Sequence, residues 1–385
     1  MIPYGKQDID QADIDSVINS LKSDFLTQGP QVPLFEETVA NYCGAKYGLT
    51  VNSATSALHI ACLALGLGKG DWLWTSPNSF VASANCGLYC GAKIDFVDID
   101  SQTYNLSVEE LEKKLIHAKS INKLPKVVIP VHFAGQSCNM KKIFSLSKKY
   151  GFRIIEDASH AIGGKYLDKP IGGCQYSDIT VFSFHPVKII TTAEGGLATT
   201  NSKDLSKKMQ LYRSHGITRE ESLMTTRTDG DWYYQQVDLG FNYRMTELQA
   251  ALGTSQMKRL NQFISKRHIL QERYDSLLSS LPIIKPYQDK DSYSALHLYP
   301  IQIDLDKTNK SRQQIFNELR ENGIGVNVHY IPIHMQPYYT QLGFKEGYFP
   351  ISEEYYKREI SLPLFNSMNL EQQDKIISTI KKILL

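Results

Sequence analysis

The chain has 385 residues, of which 42% are apolar, so it can bury one large core and a smaller second one. Its 42 Lys and Arg residues nearly balance 40 Asp and Glu residues, and a net charge of +2 gives no basic surface for nucleic acid. No apolar run approaches the ~18 residues of a membrane span, and the first residues lack the pattern of a signal peptide. The six cysteines show no CxxC pair and no metal-ligand spacing. We therefore expect a cytoplasmic protein with reduced thiols, no metal site and no membrane or nucleic-acid partner.

Strand and helix patterns alternate along the first two-thirds of the chain. Apolar runs predict five strands, at 71–75, 93–97, 126–132, 153–156 and 179–184. Helical periodicity predicts three helices, at 56–65, 107–118 and 140–150. Ser107 and Glu110 have the spacing of a capping box at the start of the second helix. This alternation indicates an α/β fold with a mostly parallel sheet covered by helices.

The last third has patterns of its own. A long helical pattern at 246–278 predicts a helix that links two domains. Two further strands and two further helices are then predicted, at 296–303, 325–329, 311–322 and 370–384. We therefore expect a large domain over 1–250, including the N-terminal segment, and a small C-terminal α/β domain over 251–385.

An amine and a carboxylate stand beside the ends of two predicted strands. One strand ends at Asp157, and the other delivers Ser183 and then Lys188, before a diglycine at Gly195 and Gly196. A pyridoxal phosphate enzyme needs a lysine to form a Schiff base and a carboxylate to pair with the pyridinium nitrogen. A single lysine after a strand is far more often a solvated surface residue. The hypothesis therefore depends on these groups occurring together.

A phosphate needs backbone amides, hydroxyls and a helix N-terminus. Ala54 and Thr55 lie in a turn of small residues at the start of a predicted helix, and Ser183 adds a hydroxyl. Such turns are usually simple helix caps. Asn242, which stands before another helix, offers an amide, although a turn or cap asparagine is the simpler interpretation.

Two aromatic residues are candidates for contacts with the cofactor ring. Phe80 follows a predicted strand and can cover the ring, or it can be a core residue. His160, three residues after Asp157, can reach the phenolic oxygen of the cofactor, or it can be a buried structural histidine.

Motifs spread over essentially the whole chain resemble one known family. They are FLTQGP at 25–30, SATSAL at 53–58, EDASHA at 156–161, FSFHPVK at 182–188, EGG at 194–196 and RSHG at 213–216. The sequence resembles the DegT/DnrJ/EryC1/StrS family of pyridoxal phosphate-dependent nucleotide-sugar aminotransferases. The resemblance implies the aspartate aminotransferase-like fold (fold type I), with a seven-stranded sheet and a small C-terminal domain. It also implies a homodimer with active sites at the subunit interface.

The resemblance also implies roles for individual residues. Lys188 is the Schiff-base lysine, Asp157 binds the pyridinium nitrogen, and His160 stands where many relatives have glutamine. Ala54, Thr55 and Ser183 hold the phosphate, and Asn242 reaches it from the partner subunit. Relatives often have glycine at the position of Ala54, so a methyl group there requires a negative φ.

Segments 183–188, 234–245 and 327–339 resemble one subgroup more closely, which acts in pseudaminic acid biosynthesis. That subgroup implies transfer of an amino group from L-glutamate to C4 of a UDP-linked 4-keto-6-deoxy-N-acetylhexosamine. His329, Tyr330 and the Arg244 of a neighbouring subunit are then candidate substrate contacts, although the two aromatic residues can instead pack one domain onto the other.

Three alternatives stay open at this point. The ketosugar can be GDP- or dTDP-linked, or carry its keto group at C3. A sugar dehydratase of the same family has histidine in place of Lys188, and a non-catalytic scaffold would be expected to lose Lys188 or Asp157. The presence of both residues argues against these last two alternatives.

Overall fold

The computed structural model describes residues 1–385, which form 15 strands and 13 α-helices. In chain order the strands are β1 (Tyr47–Val51), β2 (Trp72–Thr75), β3 (Lys93–Phe96), β4 (Val127–Ile129), β5 (Arg153–Asp157), β6 (Lys165–Tyr166), β7 (Lys169–Pro170), β8 (Ile179–Ser183), β9 (Gly196–Thr200), β10 (Ile217–Thr218), β11 (Gln235–Gln236), β12 (Ile283–Ile284), β13 (Ser292–Tyr293), β14 (Tyr299–Ile303) and β15 (Glu359–Leu362). The helices are α1 (Gln11–Leu21), α2 (Gln31–Cys43), α3 (Ala54–Ala64), α4 (Ala82–Tyr89), α5 (Val108–Ser120), α6 (Met140–Tyr150), α7 (Lys203–Arg213), α8 (Glu247–Met257), α9 (Leu260–Leu277), α10 (Arg312–Glu321), α11 (Pro337–Gln341), α12 (Pro350–Arg358) and α13 (Leu370–Leu384). None of the helices is long and apolar enough to cross a membrane.

A seven-stranded sheet, in the order β1–β9–β8–β5–β4–β2–β3, organises the first two-thirds of the chain. Strands β8, β5, β4, β2 and β3 pair in parallel, whereas β9 runs antiparallel to both of its neighbours, β1 and β8. The predicted mostly parallel sheet is therefore confirmed. Because parallel strands end at the same edge, Asp157 and Ser183, the last residues of β5 and β8, lie close together.

Helices cover both faces of this sheet. Successive residues of β4 point to opposite faces, so Val127 and Ile129 pack in the cluster that contains α3, while Val128 packs in the cluster that contains α5 and α6. Strands buried on both faces need nearly continuous apolar sequence, and this explains why the β4 and β8 runs were easy to recognise.

A separate hydrophobic cluster forms around the antiparallel sheet β12–β14–β15, with side chains from α9, α10 and α13. Ile2 also packs in this cluster, and its backbone amide donates to the Gly323 carbonyl at 2.8 Å. The α9 helix contributes Leu260 to a cluster of the large sheet and Leu270 to the small one. We retain the division into 1–250 and 251–385 as a proposal.

The prediction of a single helix over 246–278 is wrong, because α8 ends at Met257 and α9 begins at Leu260. The break lies at Arg259, whose guanidinium forms ion pairs with Asp8, Asp10 and Asp13 of the N-terminal segment. We attribute the break to this cluster of carboxylates, which holds the arginine at the junction.

The strand expected at 325–329 is also absent. Asn327 makes one isolated bridge to Ser361, but the next available amide, that of His329, donates to the Glu359 carboxylate instead of to a backbone carbonyl. The side chain therefore interrupts the ladder. The capping box at Ser107 forms only in part: Ser107 accepts from the Glu110 amide, while the Glu110 carboxylate binds Lys113.

Candidate active site

A cavity of about 760 Å³ opens where β5 and β8 end and α3 begins. It brings together nine of the residues predicted from the sequence: Ala54, Thr55, Phe80, Asp157, His160, Ser183, Lys188, His329 and Tyr330. The last two come from the segment that follows α10, so both parts of the chain contribute to the cavity wall.

Lys188 lies in the loop between β8 and β9, and its amine has no hydrogen-bond or ion-pair partner within the chain. The surrounding protein lowers the pKa of Lys188 to about 8, because burial disfavours the charged form, and the nearby Asp157 carboxylate only partly offsets this effect. A much larger fraction of the amine is therefore neutral near pH 7 than in a solvated lysine, which makes it available as a nucleophile and a base.

Asp157 is held by two hydrogen bonds at the end of β5. Its Oδ2 accepts from the Ser83 hydroxyl at 2.7 Å, and its Oδ1 accepts from the Ser159 amide at 3.1 Å. Ser83 also contacts the Ser79 hydroxyl at 2.8 Å. A carboxylate has about four acceptor positions, so Asp157 keeps capacity for a further donor in the cavity.

The start of α3 forms an anion site beside this pair. Ser53 caps the helix by accepting from the Ser56 amide, and the amides of Ala54 and Thr55 have no acceptor within the helix. Ala54 is not among the residues with positive φ, so its methyl group is accommodated as expected. Free amides at a helix N-terminus favour an anion such as phosphate.

Gly196 makes the close approach of β9 to this turn possible. A Cβ at this position would lie 2.5 Å from the amide nitrogen of Ala54 and 2.5 Å from the carbonyl carbon of Ser53. Any side chain would therefore displace the turn that carries the anion site. The diglycine in the sequence has a steric purpose as well as marking a turn.

His160, Tyr330 and Phe80 form the aromatic side of the cavity. The Tyr330 hydroxyl lies 3.1 Å from Nε2 of His160, and burial, with a further contribution from the Lys188 charge, holds the pKa of His160 well below its usual range. The side chain of Phe80 is 60% exposed. A large aromatic ring left open at a cavity provides a flat apolar surface for a ligand ring.

These observations fit pyridoxal phosphate. The unpartnered amine suits its aldehyde, and the fixed carboxylate suits its ring nitrogen. The free helix amides and the Ser183 hydroxyl suit its phosphate, and the exposed aromatic ring suits its ring face.

Asn242 and Arg244 do not line the cavity of their own chain. Asn242 is exposed, and the intervening Tyr243 carbonyl accepts from the Asn52 amide at 2.8 Å, so this segment runs behind the phosphate turn.

Sequence reasoning missed several side chains of the cavity wall, among them Ser83, His297, Asn327 and Tyr4. Ser83 stands four residues after Ser79, at the start of a helix, and this spacing is the feature of the sequence that indicates it. Tyr4 is brought to the cavity only by tertiary structure, and the local sequence gives no sign of it.

Comparison with known proteins extends these observations to the whole chain. The DegT/DnrJ/EryC1/StrS aminotransferase family matches residues 7–381. The UDP-4-amino-4,6-dideoxy-N-acetyl-beta-L-altrosamine transaminase of Campylobacter jejuni is 38% identical, over 100% of this chain and 98% of its own length. Among solved structures, Helicobacter pylori PseC, an aminotransferase involved in the biosynthesis of pseudoaminic acid, has a TM-score of 0.90 at 34% identity and covers 100% of this chain and 99% of its own.

A second solved structure is that of a protein described as the putative sugar aminotransferase Spr1654 of Streptococcus pneumoniae, in its PLP form. It has a TM-score of 0.88 at 29% identity and covers 100% of both chains. The chain therefore belongs to the DegT/DnrJ/EryC1/StrS aminotransferase family, and the fold class and the pyridoxal phosphate cofactor expected from the sequence are confirmed.

Proposed function

We propose that the protein transfers an amino group from L-glutamate to C4 of a UDP-linked 4-keto-6-deoxy-N-acetylhexosamine, as a step of pseudaminic acid biosynthesis. The observation that carries the reaction type is the unpartnered Lys188 amine, which faces the Asp157 carboxylate in one cavity. The choice of sugar is supported by the full-length similarity to the Campylobacter jejuni transaminase.

Individual residues of the cavity have distinct tasks in this reaction. Pyridoxal phosphate, when bound, supplies a protonated ring that stabilises negative charge on the carbon that loses its proton. Asp157 keeps the ring nitrogen protonated, because an ionised carboxylate there favours the positive charge. The amides of Ala54 and Thr55 and the Ser183 hydroxyl hold the phosphate.

Lys188 would hold the cofactor covalently and, as a free amine, would act as the base. Its lowered pKa of about 8 suits this second task, because an amine near its pKa can both accept and return a proton. Phe80 would cover one face of the ring and would restrict access of water from that side.

The same proposal includes a homodimer in which Asn242 and Arg244 act in the neighbouring active site. Asn242 is exposed in its own chain, which leaves its amide free for a partner. Exposed apolar residues of α1 at helical spacing, Ile14, Ile18 and Leu21, offer a surface that association would bury. The six unpaired cysteines support a location in the reducing cytoplasm.

His329 and Tyr330 are the proposed substrate contacts within the chain. Burial, with a further contribution from the Lys188 charge, lowers the pKa of His329 to about 3, so its ring is neutral and can pair with uncharged sugar groups. Arg244 of the neighbouring subunit adds a positive charge for the acidic part of the nucleotide.

The test separates the two half-reactions. Addition of L-glutamate to the purified holoenzyme should change the visible absorption of the bound cofactor, and a spectrum that glutamate leaves unchanged would contradict the donor. The glutamate-treated enzyme is then offered a panel of ketosugar nucleotides.

Within that panel we expect UDP-2-acetamido-2,6-dideoxy-β-L-arabino-4-hexulose to be aminated at least roughly tenfold better, by kcat/KM, than its D-xylo epimer. A mismatched epimer leaves buried polar groups unpaired, at a cost of ~1–3 kcal/mol each. A preference for the D-xylo sugar, or for a GDP- or dTDP-linked sugar, would overturn the choice of substrate and leave the aminotransferase assignment intact.

A further inference from the structure

Two hydrogen-bonding side chains, Ser361 and His329, connect the buried carboxyl group of Glu359 to the cavity. Glu359 and Ser361 lie on β15, two residues apart and therefore on the same face, and both are completely buried. The Ser361 hydroxyl lies 2.6 Å from Oε1 of Glu359 and 2.8 Å from Nδ1 of His329. The His329 ring in turn lines the cavity.

The protonation state of Glu359 fixes the direction of these hydrogen bonds. An ionised carboxylate can only accept, so Ser361 donates to it and accepts from the Nδ1–H of His329. Nε2 of His329 then has no proton, and the amide nitrogen of Asn327 faces it at 3.4 Å. In this state Nε2 of His329 is an acceptor, and the Asn327 amide nitrogen is the donor that faces it.

A protonated Glu359 reverses every bond in the chain. Its O–H group donates to Ser361, whose own hydroxyl then donates to Nδ1 of His329. The ring proton must therefore lie on Nε2, and His329 presents a donor to the cavity once the Asn327 side-chain amide turns its oxygen, and not its nitrogen, toward the ring. The backbone amide of His329 donates to Oε2 of Glu359 at 2.8 Å in both states, so the carboxyl group keeps its position.

Building on the function proposed above, we propose that Glu359, Ser361 and His329 form a relay that delivers a proton from the buried carboxyl group to the sugar substrate. The C4 oxygen of a ketosugar must depart as water when nitrogen replaces it, and this departure needs a proton donor. The Nε2 proton of His329 joins the departing oxygen as the C–O bond breaks. The Ser361 proton moves to Nδ1, and the Glu359 proton moves to Ser361.

Within the relay only Glu359 changes charge, and the matching positive charge stays on the nitrogen that replaces the oxygen at C4. Glu359 becomes a carboxylate, while His329 exchanges one ring proton for another and stays neutral. The reverse path, from solvent in the open cavity through His329, returns a proton to Glu359 after product release. His329 is therefore the catalytic residue, and Ser361 and Glu359 act through it.

The electrostatics of the site suit both ends of the relay. Burial raises the pKa of Glu359 to about 8, although its hydrogen bonds with Ser361 and the His329 amide partly offset the rise, so the carboxyl group holds a proton at neutral pH. The low pKa of His329, about 3, prevents the imidazolium from trapping the proton.

None of the groups that face Glu359 prevents its carboxyl group from holding a proton. Gln302 of β14 lies opposite it in the sheet and does not titrate. The titratable or charged neighbours are Arg312 of α10, Tyr355 of α12, and Tyr104 and Tyr330. Arg312 favours the carboxylate but does not prevent the net rise, and burial raises the pKa of each of the three tyrosines.

Nitrogen NMR of protein labelled with ¹⁵N in its 10 histidines reports which ring nitrogen carries the proton. The His329 signal is the one that disappears in H329Q. We expect the proton on Nε2 at neutral pH and on Nδ1 once the pH exceeds about 8. Lys188 titrates in the same range, so K188A is measured as well and should keep the change.

Two variants break the relay at different points, and one serves as a control. In S361A the ring nitrogen of His329 that carries the proton should no longer change with pH. In E359Q it should stay on Nε2, because the amide donates to Ser361 at every pH. S378A, an exposed serine of the same domain, should behave as the wild type does. A wild-type tautomer that does not change with pH, or a change that persists in S361A, overturns the relay.

Kinetics test the delivery to the sugar. S361A should lower kcat for amination of the ketosugar by roughly 10²-fold, the lower end of general acid catalysis. Its KM and its glutamate half-reaction should change little. Equal losses in both half-reactions would mean a structural role only. If the wild type aminates no ketosugar nucleotide, the proposed function fails and delivery to a sugar fails with it. The NMR result then still decides whether the three side chains are coupled.

Discussion

The Ser83 hydroxyl donates a 2.7 Å hydrogen bond to Oδ2 of Asp157 and thereby joins α4 to the end of β5. With the Ser159 amide on the other oxygen, this bond fixes the direction of the carboxylate before any ligand binds. The residue that tunes the cofactor ring is therefore positioned by a side chain of a different element.

Replacing Asp157 by asparagine should reduce the rate of the glutamate half-reaction by about 10²-fold or more, because an amide cannot keep the ring nitrogen protonated. Cofactor should still bind in part, since the phosphate site is intact. S83A should cost less, because it removes one hydrogen bond to a charged group, a contribution of ~1.5–3 kcal/mol. Stopped-flow absorption measures both rates. An unchanged rate in D157N would show that the role given to Asp157 is wrong.

Capture of added pyridoxal phosphate by the apoprotein should become faster as pH rises and should level off above about 8. The reason is that burial lowers the pKa of Lys188 to about 8, and only the neutral amine attacks the aldehyde. Absorbance after mixing follows the reaction at each pH. A midpoint near the ordinary lysine value would mean that the amine is solvated. K188A is the control, and it should show neither covalent capture nor turnover while it stays folded.

G196A should weaken cofactor binding and lower the free energy of unfolding by ~1–3 kcal/mol, the range for an overpacked core. The added methyl group would lie 2.5 Å from backbone atoms of Ser53 and Ala54, which cannot rotate out of the way. Equilibrium binding of pyridoxal phosphate and urea unfolding provide the two measurements. Gly68 is the matched control, because a Cβ there meets nothing within 4 Å. If G196A and G68A bind equally well, the close approach of β9 is unimportant.

A mixed dimer of K188A and N242A subunits should recover up to half of the wild-type activity per dimer. If Asn242 acts in the partner's site, one site carries both changes and the other carries neither. Differently tagged subunits allow the mixed species to be purified and assayed. No recovery above either parent homodimer would place Asn242 in its own subunit's site.

The apolar strands of the central sheet and the helices between them could be predicted, because buried strands and amphipathic helices have local periodicity. The α6 and α13 helices lie at the predicted positions, 140–150 and 370–384. Strand β9 was not predicted, since Leu197 is the only large apolar residue of Gly196–Thr200 and the strand does not stand out as an apolar run. Arg259, at the break between α8 and α9, pairs with carboxylates about 250 residues away, and local sequence does not contain that information.

The candidate site likewise contains residues that local sequence reveals and residues that only the tertiary structure reveals. Lys188, Asp157 and the phosphate turn stand next to strand ends and helix starts, so their chemistry and position could be recognised together. Glu359 and Ser361 could not, because nothing in the local pattern of β15 indicates that both side chains face a histidine 30 residues earlier. Their role becomes visible only when the strands of the small sheet are assembled.

Ile2 belongs to the same hydrophobic cluster as residues of α13, at the other end of the chain, and this has a consequence for folding during synthesis. A ribosome releases the α13 residues only after about 370 others have emerged, so the small domain cannot close while translation is under way. Until then the strands of the small sheet have exposed apolar faces, and exposed apolar faces promote aggregation and the binding of chaperones. The seven strands of the large sheet have all emerged once β9 is made, well before α13. We therefore expect slow or crowded expression to damage the small domain first.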